Sequence, residues 1–158
     1  MLDEAVGQAA HETMAAEGFT FSLAYEQDDT FAEYVARLER IQRGDPPMGR
    51  FVESTFLLAE VDGDVVGRTS IRHRLNDFLR HEGGHIGYCV LPPYRRRGYA
   101  TEILGQSLER IHALGVDPVL VTCDDDNVGS ATVIERAGGV LENIVDNESG
   151  TQTRRYWI

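Results

Sequence analysis

Residues 84–101 decide the fold of this chain, and they read GHIGYCVLPPYRRRGYAT. Residues 85–91 form a short apolar run rich in residues that favour strands. The run stops at Pro92-Pro93, a pair that cannot donate to a sheet ladder. Beyond three consecutive arginines, residues 101–111 place isoleucine and leucine at helical spacing. The predicted order is therefore a strand, a tight basic loop and a helix.

The basic loop at residues 95–100 connects the predicted strand to the predicted helix. Gly98 and Ala100 are small residues at the start of that helix, so its first backbone N–H groups are unobstructed. The helix dipole adds partial positive charge there, which makes the loop an anion site that fits a pyrophosphate. A basic turn that only caps the helix is the alternative interpretation.

Length and composition indicate one globular domain over residues 1–158, with 42% apolar and 26% charged residues. The net charge of −11 argues against nucleic acid as a partner, because such binding needs basic surface. There is no long apolar run and no signal peptide, so we expect a cytoplasmic protein with no membrane partner. Two cysteines in predicted strands, Cys89 and Cys123, indicate neither a disulfide framework nor a metal site.

The rest of the chain shows alternating helix and strand patterns. We predict helices at residues 2–16, 31–43 and 130–137, a hairpin of strands at 53–61 and 65–72, and further strands at 119–123, 140–145 and 153–158. Residues 28–30 cap the second helix and residues 44–47 end it. A parallel strand–helix–strand crossover joins strands that otherwise form hairpins. The predicted fold is therefore mixed α/β, with a mostly antiparallel central sheet flanked by helices.

The RxxGxA pattern of residues 95–100, behind a strand that ends at residues 90–92, resembles the acyl-CoA pyrophosphate loop of the GNAT superfamily of N-acetyltransferases. A second landmark at residues 127–130, followed by a helix, resembles the GNAT segment in which an asparagine meets the pantetheine arm. The resemblance covers roughly residues 50–158. It implies the GNAT fold, acetyl-CoA as cofactor and the amine of a small molecule or peptide as acceptor.

The resemblance also implies which residues bind the cofactor. Backbone groups of the loop would hold the pyrophosphate, and splayed strand ends would let the pantetheine arm pair with the backbone. A free N–H group around Val90 would polarise the thioester carbonyl. The predicted cofactor-binding residues are Cys89, Val90, Leu91, Arg95, Arg96, Arg97, Gly98, Tyr99, Ala100, Thr101, Asn127 and Ser130.

The transfer requires a proton acceptor, because an amine attacks a thioester only as the free base. His85 lies on the central strand, a few residues before the thioester end, where related enzymes often place a glutamate. The ordinary pKa of histidine suits a base near neutral pH. We predict His85 as the catalytic residue, and the alternative is a histidine that only forms a hydrogen bond within the sheet. His73, Glu60 and Glu53 are weaker candidates.

Two features depart from the family pattern. Members usually open with a strand before the first helix, so here that strand is either missing or displaced to residues 19–25. Many members also carry a tyrosine seven residues after the asparagine, as the acid that reprotonates the thiolate, whereas this chain has Ile134 there. The acid would then be Tyr88, Tyr99 or solvent.

Two other functions remain as alternatives to the enzyme. The first is a catalytically inactive acyl-CoA sensor or scaffold, which the absent tyrosine favours. The second is a nucleotide-binding regulatory domain that uses the same loop. The loop lacks the lysine and the serine or threonine of a Walker sequence and the early Gly-x-Gly of a dinucleotide fold, which weakens the second alternative.

Two stretches of the sequence bear on the partners. Arg72 and Arg74 could bind a carboxylate on the acceptor, since guanidinium groups hold carboxylates through paired hydrogen bonds. A solvated basic edge that balances an acidic surface is the alternative. The aromatic C-terminal end, residues 156–158, must be tucked into the core or paired with another chain, and with the resemblance this favours a homodimer.

Overall fold

The structure is a computed structural model that describes residues 4–26, 28–45 and 51–158. The helices are α1 (Glu4–Ala15), α2 (Phe31–Gln42), α3 (Tyr99–Ala113) and α4 (Val128–Arg136). The strands are β1 (Ser54–Val61), β2 (Asp64–Arg72), β3 (Ile86–Val90), β4 (Leu120–Asp124), β5 (Val140–Asp146) and β6 (Gln152–Trp157). Residues 2–3 of the predicted first helix and 46–47 of the predicted break lie outside the described residues.

The six strands form one sheet in the order β1-β2-β3-β4-β6-β5. Every neighbouring pair is antiparallel except β3 and β4, which are parallel and are connected through α3. A parallel pair requires such a crossover, because a tight turn reverses the chain direction. The mixed sheet with flanking helices confirms the predicted fold class. None of the helices in the described ranges has both the length and the hydrophobicity of a membrane span.

The start of α2 shows how the local sequence forms these elements. The Thr30 hydroxyl accepts a hydrogen bond from the Glu33 N–H group at 3.3 Å, and the Glu33 carboxylate accepts one from the Thr30 N–H group at 2.9 Å. This reciprocal pair satisfies two donors that would otherwise be unpaired near the helix start. A cap of this kind contributes about 1 kcal/mol. The predicted cap at residues 28–30 is confirmed.

The sheet separates two clusters of buried side chains. The larger cluster lies beneath α3 and α4 and contains Ile71, Ile86, Leu104, Leu108, Ile111, Val119, Val121, Ala131, Ile134 and Tyr156. The smaller cluster lies beneath α1 and contains Ala10, Met14, Phe21, Cys89 and Leu91. Tyr156 is fully buried, and its hydroxyl donates to the Glu135 carboxylate at 3.0 Å. The aromatic C-terminal end therefore places Tyr156 in the core, while Trp157 and Ile158 are half-buried.

Residues 22–24 form a bend and a turn and none of residues 19–25 is in a strand, so the alternative in which the first strand is displaced to this segment is wrong. Phe21 places its side chain in the smaller cluster, which anchors the segment without strand pairing. The carbonyls of Thr20 and Phe21 accept hydrogen bonds from the Arg68 side chain instead of a neighbouring strand. The weak alternation of the sequence thus reflects anchoring by one aromatic side chain.

Candidate active site

The parallel strands β3 and β4 meet at one end and separate beyond it. They share a single registered pair, Ile86 with Val121. Both strands continue past this pair, to Val90 and Asp124 respectively. A gap therefore opens within the sheet, bordered by backbone edges that a continuous sheet would pair. The splayed strand ends that the resemblance implied are present.

Val90 directs a backbone N–H group into this gap. On β3 the Leu91 N–H group donates to the carbonyl of Val66 in β2 at 2.9 Å. Successive residues of a strand point their N–H groups to opposite sides, so those of Tyr88 and Val90 face β4. The Val90 carbonyl already accepts a hydrogen bond from Arg95 Nε at 3.1 Å. The Val90 N–H group is thus positioned to bind a ligand in the gap.

Cys89 and Leu91, which were predicted to bind the cofactor with Val90, face other parts of the protein. Their backbone N–H groups point toward β2, in alternation with that of Val90. Their side chains belong to the cluster beneath α1. Burial raises the pKa of the Cys89 thiol, so it is protonated at neutral pH. The side chains of both residues therefore pack on the face of β3 that is turned toward α1, and their N–H groups do not face the gap.

The loop after β3 presents a row of unpaired backbone N–H groups. Gly98 caps α3 with a left-handed φ of 87°, and Arg96 has a φ of 65°. Among the described residues, the N–H groups from Arg96 to Ala100 donate no hydrogen bond to the protein. The Thr101 N–H group donates to the Gly98 carbonyl at 3.1 Å. Consecutive free N–H groups at a helix N-terminus form a concave site for an anion.

The three loop arginines make different contacts. Arg95 forms an ion pair with Glu17 at 2.5 Å and a hydrogen bond with the Val90 carbonyl. The pKa of Glu17 is lowered by its hydrogen bond from Arg95. Arg95 therefore fastens the loop to the turn that follows α1. Arg96 and Arg97 are exposed, where their attraction for an anion is screened by salt.

Asn127 and Ser130 lie at the start of α4, beyond the open end of the gap. The Asn127 Oδ1 atom accepts a hydrogen bond from the Ser130 N–H group at 3.0 Å, so Asn127 caps the helix. In the described part of the chain the Asn127 Nδ2 group donates no hydrogen bond. An amide nitrogen carries two N–H donors, so Asn127 can cap the helix and bind a ligand together.

Tyr88 places a phenol close to Ser130, beneath α4. Its hydroxyl is buried beside the Ser130 side chain and forms no hydrogen bond of standard geometry with the described residues. Burial raises the pKa of Tyr88 to about 12, so the phenol is protonated at neutral pH and can donate. Ile134, at the position where the family often has a tyrosine, is fully buried in the core. Tyr88 on β3 is thus a candidate proton donor in place of the tyrosine that is absent at position 134.

His85 lies where β3 and β4 meet, and only 5% of its surface is exposed. Its Nδ1 atom accepts a hydrogen bond from the Leu120 N–H group at 2.9 Å. A neutral imidazole that accepts at Nδ1 carries its proton on Nε2, so it has no free lone pair for an amine proton. Burial, with Arg80 and Arg72 nearby, lowers the pKa of His85 to about 4. This geometry favours a structural histidine, and the catalytic role stays a prediction.

The weaker candidates for the base contact one another or face solvent. His73 Nδ1 lies 3.3 Å from the Glu53 carboxylate, and His73 Nε2 lies 2.9 Å from the Thr55 hydroxyl. Glu60 is exposed near the end of β1. None of these residues lines the cavity described next. The structure therefore does not bring them to the candidate site.

A cavity of about 450 Å³ lies between residues 20–26, the start of β1 and a one-turn π-helix at Leu79–Gly83. The side chains of Arg68 and Arg72 lie on the same face of β2, and both line the cavity. Arg68 was not predicted, although a charged residue inside the run VVGRTSI is a signal of a buried functional or structural arginine. Arg74, predicted together with Arg72, is exposed and does not line the cavity.

The two arginines that line the cavity contact β3, the strand that borders the gap. Arg68 Nη1 donates to the Gly87 carbonyl at 2.9 Å. A Cβ atom added at Gly87 would lie 2.8 Å from Arg72 Nη1, so the guanidinium packs directly against the strand backbone. Gly87 precedes Val90 by three residues, or about 10 Å along a strand. The arginines of the cavity thus lie beside the strand whose other edge borders the gap.

Three solved structures share this fold. The yncA protein of Salmonella typhimurium, a proposed acetyltransferase solved with its cofactor acetyl-CoA, is 16% identical, with a TM-score of 0.67 over 99% of this chain and 90% of that chain. A ribosomal-protein-alanine N-acetyltransferase from Brucella melitensis is 19% identical, with a TM-score of 0.68 over 99% and 96%. A mutant of the spermidine N-acetyltransferase SpeG from Vibrio cholerae is 14% identical, with a TM-score of 0.65 over 99% and 91%.

The sequence itself matches a family model. The model is described as an acetyltransferase (GNAT) domain, and it matches residues 4–140. This match includes β3, the anion-binding loop, the start of α4 and the cavity, which are the parts from which the candidate site is built. The chain therefore belongs to the GNAT acetyltransferase family.

Proposed function

We propose that this chain is an N-acetyltransferase that transfers the acetyl group of acetyl-CoA to a primary amine. The observation that carries the proposal is the gap between β3 and β4, which leads directly into the anion-binding loop. A ligand with a pyrophosphate and an extended arm can occupy the loop with its pyrophosphate and the gap with its arm. The acetyl-CoA in the yncA structure, which has the same fold, supports this choice of cofactor.

Each part of the site has a role in this reaction. Acetyl-CoA supplies a thioester, at which a C–N bond to the acceptor forms and the C–S bond breaks. The N–H groups from Arg96 to Ala100 hold the pyrophosphate. The Val90 N–H group donates to the thioester carbonyl and stabilises the negative charge that develops on its oxygen. Asn127 Nδ2 donates to the pantetheine arm.

Proton transfer completes the reaction. The Tyr88 hydroxyl, or solvent, donates a proton to the departing sulfur, which is a tolerable leaving group because thiols have a pKa near 8.5. The acceptor amine loses one proton, either to water or, if the hydrogen bond from Leu120 opens and frees Nδ1, to His85. The turnover of His85→Asn and His85→Ala distinguishes between these two acceptors of the proton.

Ligand binding followed by an activity assay tests the proposal. We expect calorimetry to detect binding of CoA but not of ATP or NAD. With acetyl-CoA and a panel of amines, release of free thiol would then identify the transferase. A protein that binds CoA but releases no thiol with any amine would be a sensor or scaffold. A protein that prefers ATP or NAD would contradict the cofactor assignment.

We propose that the protein is a homodimer. The aromatic C-terminal end gives little support for this, because Tyr156 is fully buried within the chain and Trp157 and Ile158 are half-buried. The edge strand β5 does support it, since Val140 (69% exposed), Leu141 and Ile144 present apolar side chains beside a free strand edge. Light scattering that finds a monomer at all concentrations would contradict it.

We propose that the protein acts in the cytoplasm. Cys89 and Cys123 are both free thiols. Free thiols are typical of reducing compartments, whereas secreted domains commonly pair their cysteines. Microscopy of the tagged full chain in its native cell would test this location.

A further inference from the structure

We propose that the cavity binds the acceptor through a carboxylate, which the Arg72 guanidinium holds. The inference rests on the proposed function and names its substrate class, small amino acids and related amino carboxylates. It is carried by three features of the cavity: an arginine with no counter-ion among the described residues, a second positive charge beside it, and the distance from both to the gap.

Arg72 is the first feature. Its Nη1 group donates to the Gly83 carbonyl at 3.1 Å, whereas a guanidinium has five N–H donors. Among the described residues, no acidic side chain forms an ion pair with Arg72. Burial and the charge of Arg68 lower the pKa of Arg72 to about 10, so it stays charged at pH 7. A half-buried charge without a counter-ion is costly, and an anionic ligand would supply that counter-ion.

Arg68 is the second feature. Only 7% of its surface is exposed, and three backbone carbonyls accept its hydrogen bonds: those of Phe21, Thr20 and Gly87, at 2.9 to 3.0 Å. These contacts hold residues 20–21 as one wall of the cavity. Carbonyl oxygens carry no net charge, so the positive charge of Arg68 is not neutralised. It therefore adds to the attraction for an anion.

The other charges around the cavity do not cancel this attraction. Glu26 is the acidic residue that lines it, and its side chain is exposed and paired with Arg37 at 3.3 Å. The floor of the cavity is thus positive, within a chain of net charge −11. A polyamine, the acceptor class named for the Vibrio cholerae relative, would be repelled there.

The position of Arg72 suits an acceptor that reaches the thioester. The guanidinium packs against Gly87, about 10 Å along the strand from the Val90 N–H group. An acceptor bound there by its carboxylate reaches the thioester only if its amine lies within that distance, which a short molecule can satisfy. The volume of about 450 Å³ lies within the range of small-molecule sites.

A panel of matched acceptors tests the proposal. It contains the twenty α-amino acids and the ω-amino acids from glycine to 6-aminohexanoate, each with its primary amide, and spermidine. The readout is kcat/KM for thiol release from acetyl-CoA. We expect the best amino acid to exceed its own amide by about 10- to 100-fold, the value of a charge-assisted hydrogen bond. The ω-amino acid series would report the spacing between carboxylate and amine.

Variants of two arginines locate the effect. In Arg72→Gln the acid and its amide should react equally well, whereas Arg74→Gln, an exposed arginine outside the cavity, should keep the parent ratio. Arg72→Lys should retain part of the preference, because it keeps the charge but not the paired donors. Unchanged CoA affinity and Tm in each variant would show that the cofactor site and the fold are intact.

Different failures have different meanings. Equal rates for acids and amides, a preference for spermidine, or an acid preference that survives in Arg72→Gln would overturn the carboxylate proposal and leave acetyl transfer intact. Binding of CoA without thiol release from any panel member would also overturn it. Failure to bind CoA would overturn the proposed function and, with it, this inference.

Discussion

His85 and Leu120 are joined by two hydrogen bonds across the parallel strands. The Leu120 N–H group donates to His85 Nδ1 at 2.9 Å, and the His85 N–H group donates to the Leu120 carbonyl at 2.7 Å. The imidazole takes the place of a backbone acceptor immediately before β3 and β4 separate. His85 therefore sets the point from which the gap opens.

Two substitutions separate this structural role from a catalytic one. In His85→Asn the Oδ1 atom can still accept from Leu120, so we expect near-parent Tm and turnover. His85→Ala leaves a buried N–H group unpaired and should lower the free energy of unfolding by about 1–3 kcal/mol. Thermal unfolding measures the stability of the two variants, and thiol-release assays measure their turnover. If both variants instead lost about 100-fold or more in turnover with CoA affinity intact, His85 would be the general base.

Stability should depend on pH through His85. Its pKa in the folded protein is about 4, below the ordinary value of 6.5, so the folded state favours the neutral ring. The unfolded chain binds a proton below pH 6.5 and the folded chain does not, so this stabilisation is fully present above pH 6.5 and is lost as pH falls toward 4. Tm measured from pH 7 to pH 4 should fall less steeply in His85→Asn than in the parent. Equal slopes would contradict the lowered pKa.

Gly98→Val should abolish CoA binding, because a side chain there would prevent close approach of the pyrophosphate to the loop. Gly115→Val is the matched control at the other end of α3. Both glycines have a left-handed φ, 87° and 81°, and neither would place a new Cβ within 4 Å of the protein. Both variants should therefore lose similar stability, and only Gly98→Val should lose CoA affinity by calorimetry. Parent-like binding in Gly98→Val would show that the loop is not the pyrophosphate site.

The loop arginines should differ in their salt dependence. Arg96→Ala and Arg97→Ala should weaken CoA binding modestly, and more at low salt than at high salt, because their charges are exposed. Arg95→Ala removes contacts with Glu17 and Val90, so it should also change thermal stability. Calorimetry at two ionic strengths, with Tm measured in parallel, distinguishes Arg96→Ala and Arg97→Ala from Arg95→Ala. A salt-independent loss in Arg96→Ala would contradict an electrostatic role.

Tyr88→Phe tests the proton donor. Its hydroxyl is buried beside Ser130 without a hydrogen bond of standard geometry, so its removal should change the Tm little. If the hydroxyl protonates the departing sulfur, turnover should fall at unchanged CoA affinity, though by less than loss of a general base would cause, since solvent can substitute. Tyr99→Phe, at the first position of α3, removes the other candidate donor and is measured alongside it. Equal turnover in both variants and the parent would assign the proton to solvent.

Local sequence determined the elements around which the site is built. The proline pair ended the strand and the glycine in the basic loop started the helix, so the anion site followed from a few adjacent residues. The cap of α2 at Thr30 and the hairpin of β1 and β2 followed in the same way. These features depend on turn geometry, capping and side-chain periodicity, which act over a few residues.

Only the tertiary structure decided what the polar residues do. The sequence presents His85 as a histidine with an ordinary pKa, but its hydrogen-bond partner lies 35 residues away, and burial beside two arginines lowers that pKa. Arg72 and Arg74 are equivalent in the sequence, yet one lines a cavity and the other faces solvent. Burial, pairing and proton affinity depend on contacts between distant segments, and those contacts exist only after the chain has folded.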